Sequence, residues 1–147
     1  MLTNDQTVLR KQPYRLIDLF SGAGGLTQGF VSTGRFEPIF AVEKHPVFAQ
    51  TYAENFGAHV DSRPIEEVVN DEDVRNLRAD IVIGGPPCQG FSNLALNRPD
   101  DPRRELWQYF MDIVESSQCR MFLIENVPNL LTSPEGQEIM RRASNLG

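Results

Sequence analysis

Short apolar runs alternate along this chain with longer stretches in which apolar residues recur every three to four positions. Leu16, Ile17, Leu19 and Phe20 form the first run, residues 36–42 the second, residues 58–60 a short third, residues 79–83 the fourth and residues 120–124 the fifth. Each reads as a buried strand. Between them, residues 26–31 continue as a helix, and residues 45–55 form another that places Val47, Phe48, Tyr52 and Phe56 on one core-facing side. Residues 65–77 read as one acidic amphipathic helix. Residues 105–116 are helical, with Leu106, Tyr109, Phe110, Ile113 and Val114 on the buried side. Ser133-Pro134 opens a last helix that runs to Gly147 as its C-cap. Strands that alternate with helices predict an α/β domain built on a parallel sheet. Residues 1–13 are polar and aperiodic and read as a disordered lead-in, which leaves residues 14–147 as the folded unit.

Composition narrows this little. The 147 residues suffice for one domain with a real core, and 40% hydrophobic with 23% charged residues is ordinary for a soluble globular protein. Cys88 and Cys119 give no disulfide framework, and with His45 and His59 the only histidines no metal site is expected. The first residues lack a basic start and an apolar stretch, and no run reaches membrane-spanning length, so the expected location is the cytoplasm. Charge changes the picture more. A net charge of −6 and a pI near 4.9 have the wrong sign for a self-sufficient nucleic-acid binder. If DNA is the substrate, the phosphate-binding charge has to come from elsewhere.

The chemistry sits where strands end. The first strand runs into Ser21-Gly22-Ala23-Gly24-Gly25 and then a helix, the opening of a nucleotide-binding unit whose backbone N–H groups face a ligand. The dinucleotide fingerprint requires glycine at position 27, which is Thr27, so the dehydrogenase pattern fails. The second strand ends on Glu43, an acidic residue suited to two ribose hydroxyls and repelled by a 2′-phosphate. Asp61 follows the third strand, where ligand binding competes with capping of the next helix. The fourth strand stops at Gly84-Gly85-Pro86-Pro87-Cys88-Gln89-Gly90-Phe91-Ser92, a stiff corner that presents a cysteine at the sheet edge. A lone cysteine is more often a small buried hydrophobe, the reading given to Cys119. Residues 93–104 carry Arg98, Arg103 and Arg104 against Asp100 and Asp101, and their length suggests a lid that closes on substrate. The fifth strand delivers Glu125-Asn126-Val127-Pro128 to the same edge as Cys88, where a carboxylate is placed for acid–base work.

The Asp18-Leu19-Phe20-Ser21-Gly22-Ala23-Gly24-Gly25 turn, the Pro86-Pro87-Cys88-Gln89 loop and the Glu125-Asn126-Val127 strand end resemble, in order and spacing, motifs of the cytosine-C5 DNA methyltransferases. The resemblance covers residues 14–147. It implies a Rossmann-like, S-adenosylmethionine-dependent methyltransferase fold: a parallel sheet of about five strands in the order 3-2-1-4-5, helices on both faces, incomplete on its C-terminal side. It implies Cys88 as the nucleophile on C6 of a flipped-out cytosine, Glu125 as the group acting at N3, and Asn126 as the residue fixing the proline loop. S-adenosylmethionine, with S-adenosylhomocysteine as product, would contact Asp18, Phe20, Ser21, Gly22, Ala23, Gly24, Gly25, Glu43, Asp61 and Pro86. Gln89, Ser92, Arg98 and Arg103 are the implied DNA contacts. Missing from the family pattern are a downstream strand, the target-recognition region and the last helix over the cofactor. The expected partners are therefore DNA and either a complementing C-terminal chain or a second copy at the open sheet edge, with little turnover by the fragment alone. An amino-methylating enzyme would carry Asp or Asn before the prolines, where Gly85 stands, and an aromatic where Cys88 stands. A tRNA cytosine methyltransferase would use similar chemistry but resembles residues 89–92 less well. A non-catalytic scaffold would have no need of Cys88 or Glu125.

Overall fold

The computed structural model describes residues 12–87 and 105–146. The strands are β1 (Tyr14–Leu19), β2 (Phe36–Val42), β3 (Val60–Asp61), β4 (Ile81–Gly84) and β5 (Met121–Ile124). All pair in parallel, in the order β3-β2-β1-β4-β5. The first helix is α1 (Gly25–Val31), followed by α2 (Pro46–Phe56) and the short α3 (Ile65–Val68) and α4 (Glu72–Arg75). Then come α5 (Leu106–Ser117), α6 (Asn129–Thr132) and α7 (Pro134–Asn145). The expected order and the parallel α/β class are both present.

Side-chain alternation divides the sheet into two unequal faces. Ile17, Leu19 and Val82 point to the larger core, where α5 contributes Trp107, Phe110, Met111, Ile113 and Val114. Leu16, Ile81 and Ile83 point the other way, onto Leu26 and Phe30 of α1 and onto Phe36. The α1 face is covered over β1 and β2 and bare toward β5. Phe122 and Ile124 of β5 pack into the larger core, whereas Met121 stays 63% exposed and Leu123 lies exposed beside it. Uncovered apolar surface thus includes this sheet face as well as helix positions, with Leu131 of α6 and Met140 of α7 also exposed. Arg142 of α7 ties that helix to α5 through Glu115 and Asp112, each at 2.8 Å.

Two helices depart from the sequence pattern. Residues 65–77 are not one helix: α3 and α4 are separate turns, with Asp71 between them drawn to Arg63 at 2.5 Å and Asn70 hydrogen-bonded back to the Glu66 carbonyl. In α2, Tyr52 and Ala49 are buried and Phe56 packs on Tyr52, but Val47 and Phe48 face solvent. Phe48 instead lies against the His45 ring at 4.6 Å. Only one stripe of α2 meets the sheet.

Two glycines fix where the strand ends meet. A Cβ on Gly84 would collide with the Leu19 carbonyl oxygen, so only glycine lets β4 lie this close to β1 at the edge. Gly24 (φ 91°) sits under the Phe56 ring, which a Cβ would strike. Gly84→Ala should therefore destabilise the fold by about 3 kcal/mol or more in urea unfolding. Gly29→Ala, in the open interior of α1, should instead stabilise it by about 0.5–1 kcal/mol. Equal effects at the two positions would contradict this account of the β1–β4 junction.

Candidate active site

The carboxyl ends of β1, β2, β4 and β5 form one edge, and two adjoining clefts lie along it. One, of about 330 Å³, is lined by Asp18, Phe20, Ser21, Leu26, Gly85 and Glu125. The other, of about 190 Å³, is lined by Phe20, Glu43, Ile65, Pro87 and Leu106 among others. Phe20 and Gly85 belong to both, so the clefts make a continuous trough. A third hollow of about 320 Å³, which includes Tyr14, Phe36, Ile81 and Met121, lies at the opposite ends of the strands, away from this chemistry.

The glycine turn builds the floor. Phe20 takes a left-handed conformation at φ 58°, a backbone state that costs a bulky residue on the order of 1–3 kcal/mol and concentrates at ligand sites. The Ser21 N–H donates to the Val42 carbonyl at 3.0 Å, and the Gly24 N–H closes the turn onto the Ser21 carbonyl at 2.9 Å. Glu43 is tied to the same turn: its carboxylate accepts from Gly22 N–H at 2.9 Å and from His45 N–H at 2.7 Å. Each of its oxygens keeps a lone pair for a further donor. Ala23 is exposed beside them, and Gly25 begins α1.

Asp18 is the unusual residue. Its carboxyl is 1% exposed on the α1 side of β1; the Thr27 hydroxyl donates to Oδ2 at 2.5 Å, while Oδ1 has no hydrogen-bond partner among the described residues. The Ser21 hydroxyl is buried and unpartnered in the same way. Burial pushes the Asp18 carboxyl up to about 7, against the opposing hydrogen bonds from Thr27 and with a smaller push from Glu43.

The proline loop and the β5 end are joined directly. Asn126 donates from Nδ2 to the Pro86 carbonyl at 2.8 Å and accepts from Val127 N–H at 2.9 Å. The Glu125 N–H donates to the Gly84 carbonyl at 2.9 Å, and its carboxylate lies beside the bare Cα of Gly85. Glu125 is exposed. Asp61 stands apart from both clefts: Arg63 grips it at 2.6 Å and holds its carboxyl below the ordinary range. Capping is not its role, since Pro64 occupies the cap of α3 with no side-chain hydrogen bond there. Cys88, Gln89, Ser92, Arg98 and Arg103, with the expected lid over residues 93–104, lie outside the described residues, as does Gly147.

With that geometry in place, kinship is decided by sequence. The pattern of the C-5 cytosine-specific DNA methylase family matches residues 14–146. The chain belongs to this family. It is 39% identical to the type II methyltransferase M1.HphI of Haemophilus parahaemolyticus, over 89% of this chain and 38% of that one. It is 38% identical to M.AgeI of Thalassovita gelatinovora, over 90% of this chain and 33% of the relative. The match to the type II methyltransferase M.AquIA of Picosynechococcus, at 37% identity, spans 88% of this chain and 56% of the relative. The chain thus spans a third to somewhat over a half of these relatives. The Dnmt2 methyltransferase of S. pombe shares the fold, with a TM-score of 0.69 at 22% identity, over 90% of this chain and 42% of that structure. Among the described residues no helix is long and apolar enough to cross a membrane, and no His, Cys, Asp and Glu cluster could hold a metal ion.

The buried carboxyl has a measurable signature. Its folded value near 7 against a free value of 3.8 means that the folded state binds more protons between those pH values, so Asp18 lowers stability as pH rises through that window. Asp18→Asn should remove this slope. In urea unfolding, the variant's stability relative to the parent should grow from pH 4 to pH 7 by on the order of a few kcal/mol. A pH-independent difference would mean that the carboxyl is not buried as described.

Proposed function

We propose that this chain is the cofactor-binding and nucleophile-bearing part of a DNA (cytosine-5-)-methyltransferase that uses S-adenosylmethionine. The observation that carries the reading is the trough: a strained glycine turn, Glu43 and a half-satisfied buried Asp18 share one strand edge with the Pro86 loop and Glu125. The residues fit the cofactor's chemistry. Two buried polar atoms without partners, Asp18 Oδ1 and Ser21 Oγ, suit a ligand that brings a cation and hydrogen-bonding groups into the larger cleft. The spare lone pairs of Glu43 suit a ribose diol. The ring of Phe20, shared by both clefts, suits a sulfonium nearby. Gly22, Ala23, Gly24 and Gly25 complete the turn, and Pro86, whose carbonyl Asn126 holds, is the proposed contact from the proline loop. Asp61 would serve the adenine amino group by sharing its carboxylate with Arg63.

When bound, S-adenosylmethionine supplies an electrophilic methyl group and is left as S-adenosylhomocysteine. The protein's part is to make cytosine C5 nucleophilic. The Cys88 thiolate adds to C6, and Glu125 hydrogen-bonds or protonates N3, so that the displaced electron pair is held on the ring and becomes available at C5. After methylation, loss of the C5 proton returns its electrons to the C5–C6 bond and expels the thiolate. C6 is inaccessible in a stacked duplex, so the base has to be flipped out. Asn126 fixes the Pro86 carbonyl and with it the approach to Cys88. Glu125 is open to solvent here, so its seclusion from water arrives with the base. Gln89, Ser92, Arg98 and Arg103 are the proposed DNA contacts.

Further protein completes the site. Exposed Met121 and Leu123 lie on an edge strand of a chain that spans a third to two-fifths of relatives such as M1.HphI and M.AgeI. We infer that a complementing C-terminal chain, or failing that a second copy, covers this face and brings the positive charge that DNA binding needs. The test is incorporation of labelled methyl groups into DNA by the 147-residue chain and by its fusion to the remaining part of M1.HphI. The fusion should methylate DNA, the chain alone at under about a hundredth of that rate, and Cys88→Ala in the fusion should lower transfer by at least about a thousandfold. Undiminished transfer by the Cys88→Ala fusion would contradict the covalent route, and equal turnover by the chain alone would contradict the need for further protein.

A further inference from the structure

A line of buried polar side chains runs behind Asp18, away from the trough. The Thr27 hydroxyl, fully buried on α1, donates to Asp18 Oδ2 at 2.5 Å and lies 3.3 Å from the Tyr52 hydroxyl. Tyr52, fully buried on α2, lies in turn 3.5 Å from Nε2 of the half-buried His59, whose ring stands edge-on to it. A hydroxyl has one proton to give. If Thr27 gives its proton to Asp18 it has to accept from Tyr52, and Tyr52 then accepts from the His59 Nε2–H. All the donors point one way, toward the carboxylate.

We propose that Thr27, Tyr52 and His59 form a relay that anchors one oxygen of Asp18 and thereby turns the other into the trough for a cationic group of the ligand. They are positioning residues, and the proposal rests on the cofactor reading above. Without the relay, a buried carboxyl can rotate to whichever hydrogen bond is at hand. With Oδ2 held from behind, Oδ1 is left unpartnered and buried, on a residue that lines the larger cleft. A cation arriving there meets an oriented acceptor that needs no rearrangement.

The surroundings make the device sensitive to pH. Glu43 faces Asp18 from the end of β2 and Glu125 from beyond β5, while α1 and β4 bring no titratable group toward it. Burial pushes the Tyr52 hydroxyl up to about 12 and lowers His59 below its usual value. Around neutral pH Tyr52 and His59 are therefore both uncharged, and it is Asp18 whose charge changes. Once it gains a proton it becomes a donor and the line of hydrogen bonds can reverse. The ionised form is the one that binds a cation.

Carboxyl NMR of the chain labelled at aspartate reads this directly, without cofactor or turnover. Thr27→Val should raise the Asp18 midpoint by about one to two pH units, since a hydrogen bond to a charged carboxylate is lost. Thr27→Ser should return it to within about a few tenths, and Tyr52→Phe should raise it by less than Thr27→Val. The binding arm compares S-adenosylmethionine, S-adenosylhomocysteine and 5′-methylthioadenosine between pH 5.5 and 8. Affinity for the first should rise about tenfold through the Asp18 midpoint, and Thr27→Val should carry that inflection to higher pH. A matching rise with S-adenosylhomocysteine assigns the ammonium as the group recognised, and a flat response assigns the sulfonium. 5′-Methylthioadenosine, which carries neither charge, should show no inflection. If Thr27→Val does not fold, Tyr52→Phe and Thr27→Ser still decide the matter. An Asp18 midpoint unmoved in the folded Thr27→Val or Tyr52→Phe variant, or an inflection with 5′-methylthioadenosine, overturns the proposal. If none of the ligands binds while the midpoint still moves, the relay stands and the cofactor reading falls.

Discussion

The close approach of β4 to β1 is the constraint on which the site depends. At Gly84 the backbone of one strand lies against the Leu19 carbonyl of the other, with no room for a side chain. That contact puts the proline corner after β4 beside the glycine turn after β1. Parallel pairing then repeats the alignment outward, to Glu43 at the end of β2 and to Glu125 at the end of β5. Four chain segments distant in sequence thus arrive at one edge through backbone geometry alone, and only their side chains need differ among enzymes with this sheet.

Placing a carboxyl at this junction is costly. Asp18 is buried where an apolar residue would stabilise the sheet, and one of its oxygens is left unsatisfied. Phe20 adds a strained backbone two residues later. Both costs fall at the end of β1 and the start of the turn after it, while Ile17, Leu19 and Val82 supply ordinary apolar packing on the other face. Such local penalties, surrounded by well-packed structure, mark a site prepared in advance for a ligand.

Strand positions were legible because strands packed on both faces carry short apolar runs; residues 81–83 show one plainly, and Leu16, Ile17, Leu19 and Phe20 form another broken only by Asp18. The glycine turn and the link from Asn126 to the proline loop were legible through motif resemblance, Glu43 through its place at a strand end, and the geometry brings these residues to one edge. The break between α3 and α4 was hidden because periodicity registers Ile65, Val68 and Val74 but not the pull of Arg63 on Asp71. Residue type alone assigns Phe48 to the core, although its neighbour Ala49 is the one that faces inward. The relay was hidden for a deeper reason. In the sequence Thr27 is informative only as the residue that breaks a dinucleotide pattern, and Tyr52 reads as one more core aromatic; their hydroxyls meet only through the packing of α1 against α2.

A calorimetric titration of S-adenosylmethionine into the folded chain, alongside its Glu43→Ala variant, tests the central claim most directly. The account predicts measurable one-to-one binding to the parent and a loss of about tenfold or more in the variant, which removes a charged acceptor from the trough. Equal binding by both chains would place the ligand elsewhere. No binding by a folded parent would contradict the claim that these strand ends form the cofactor site.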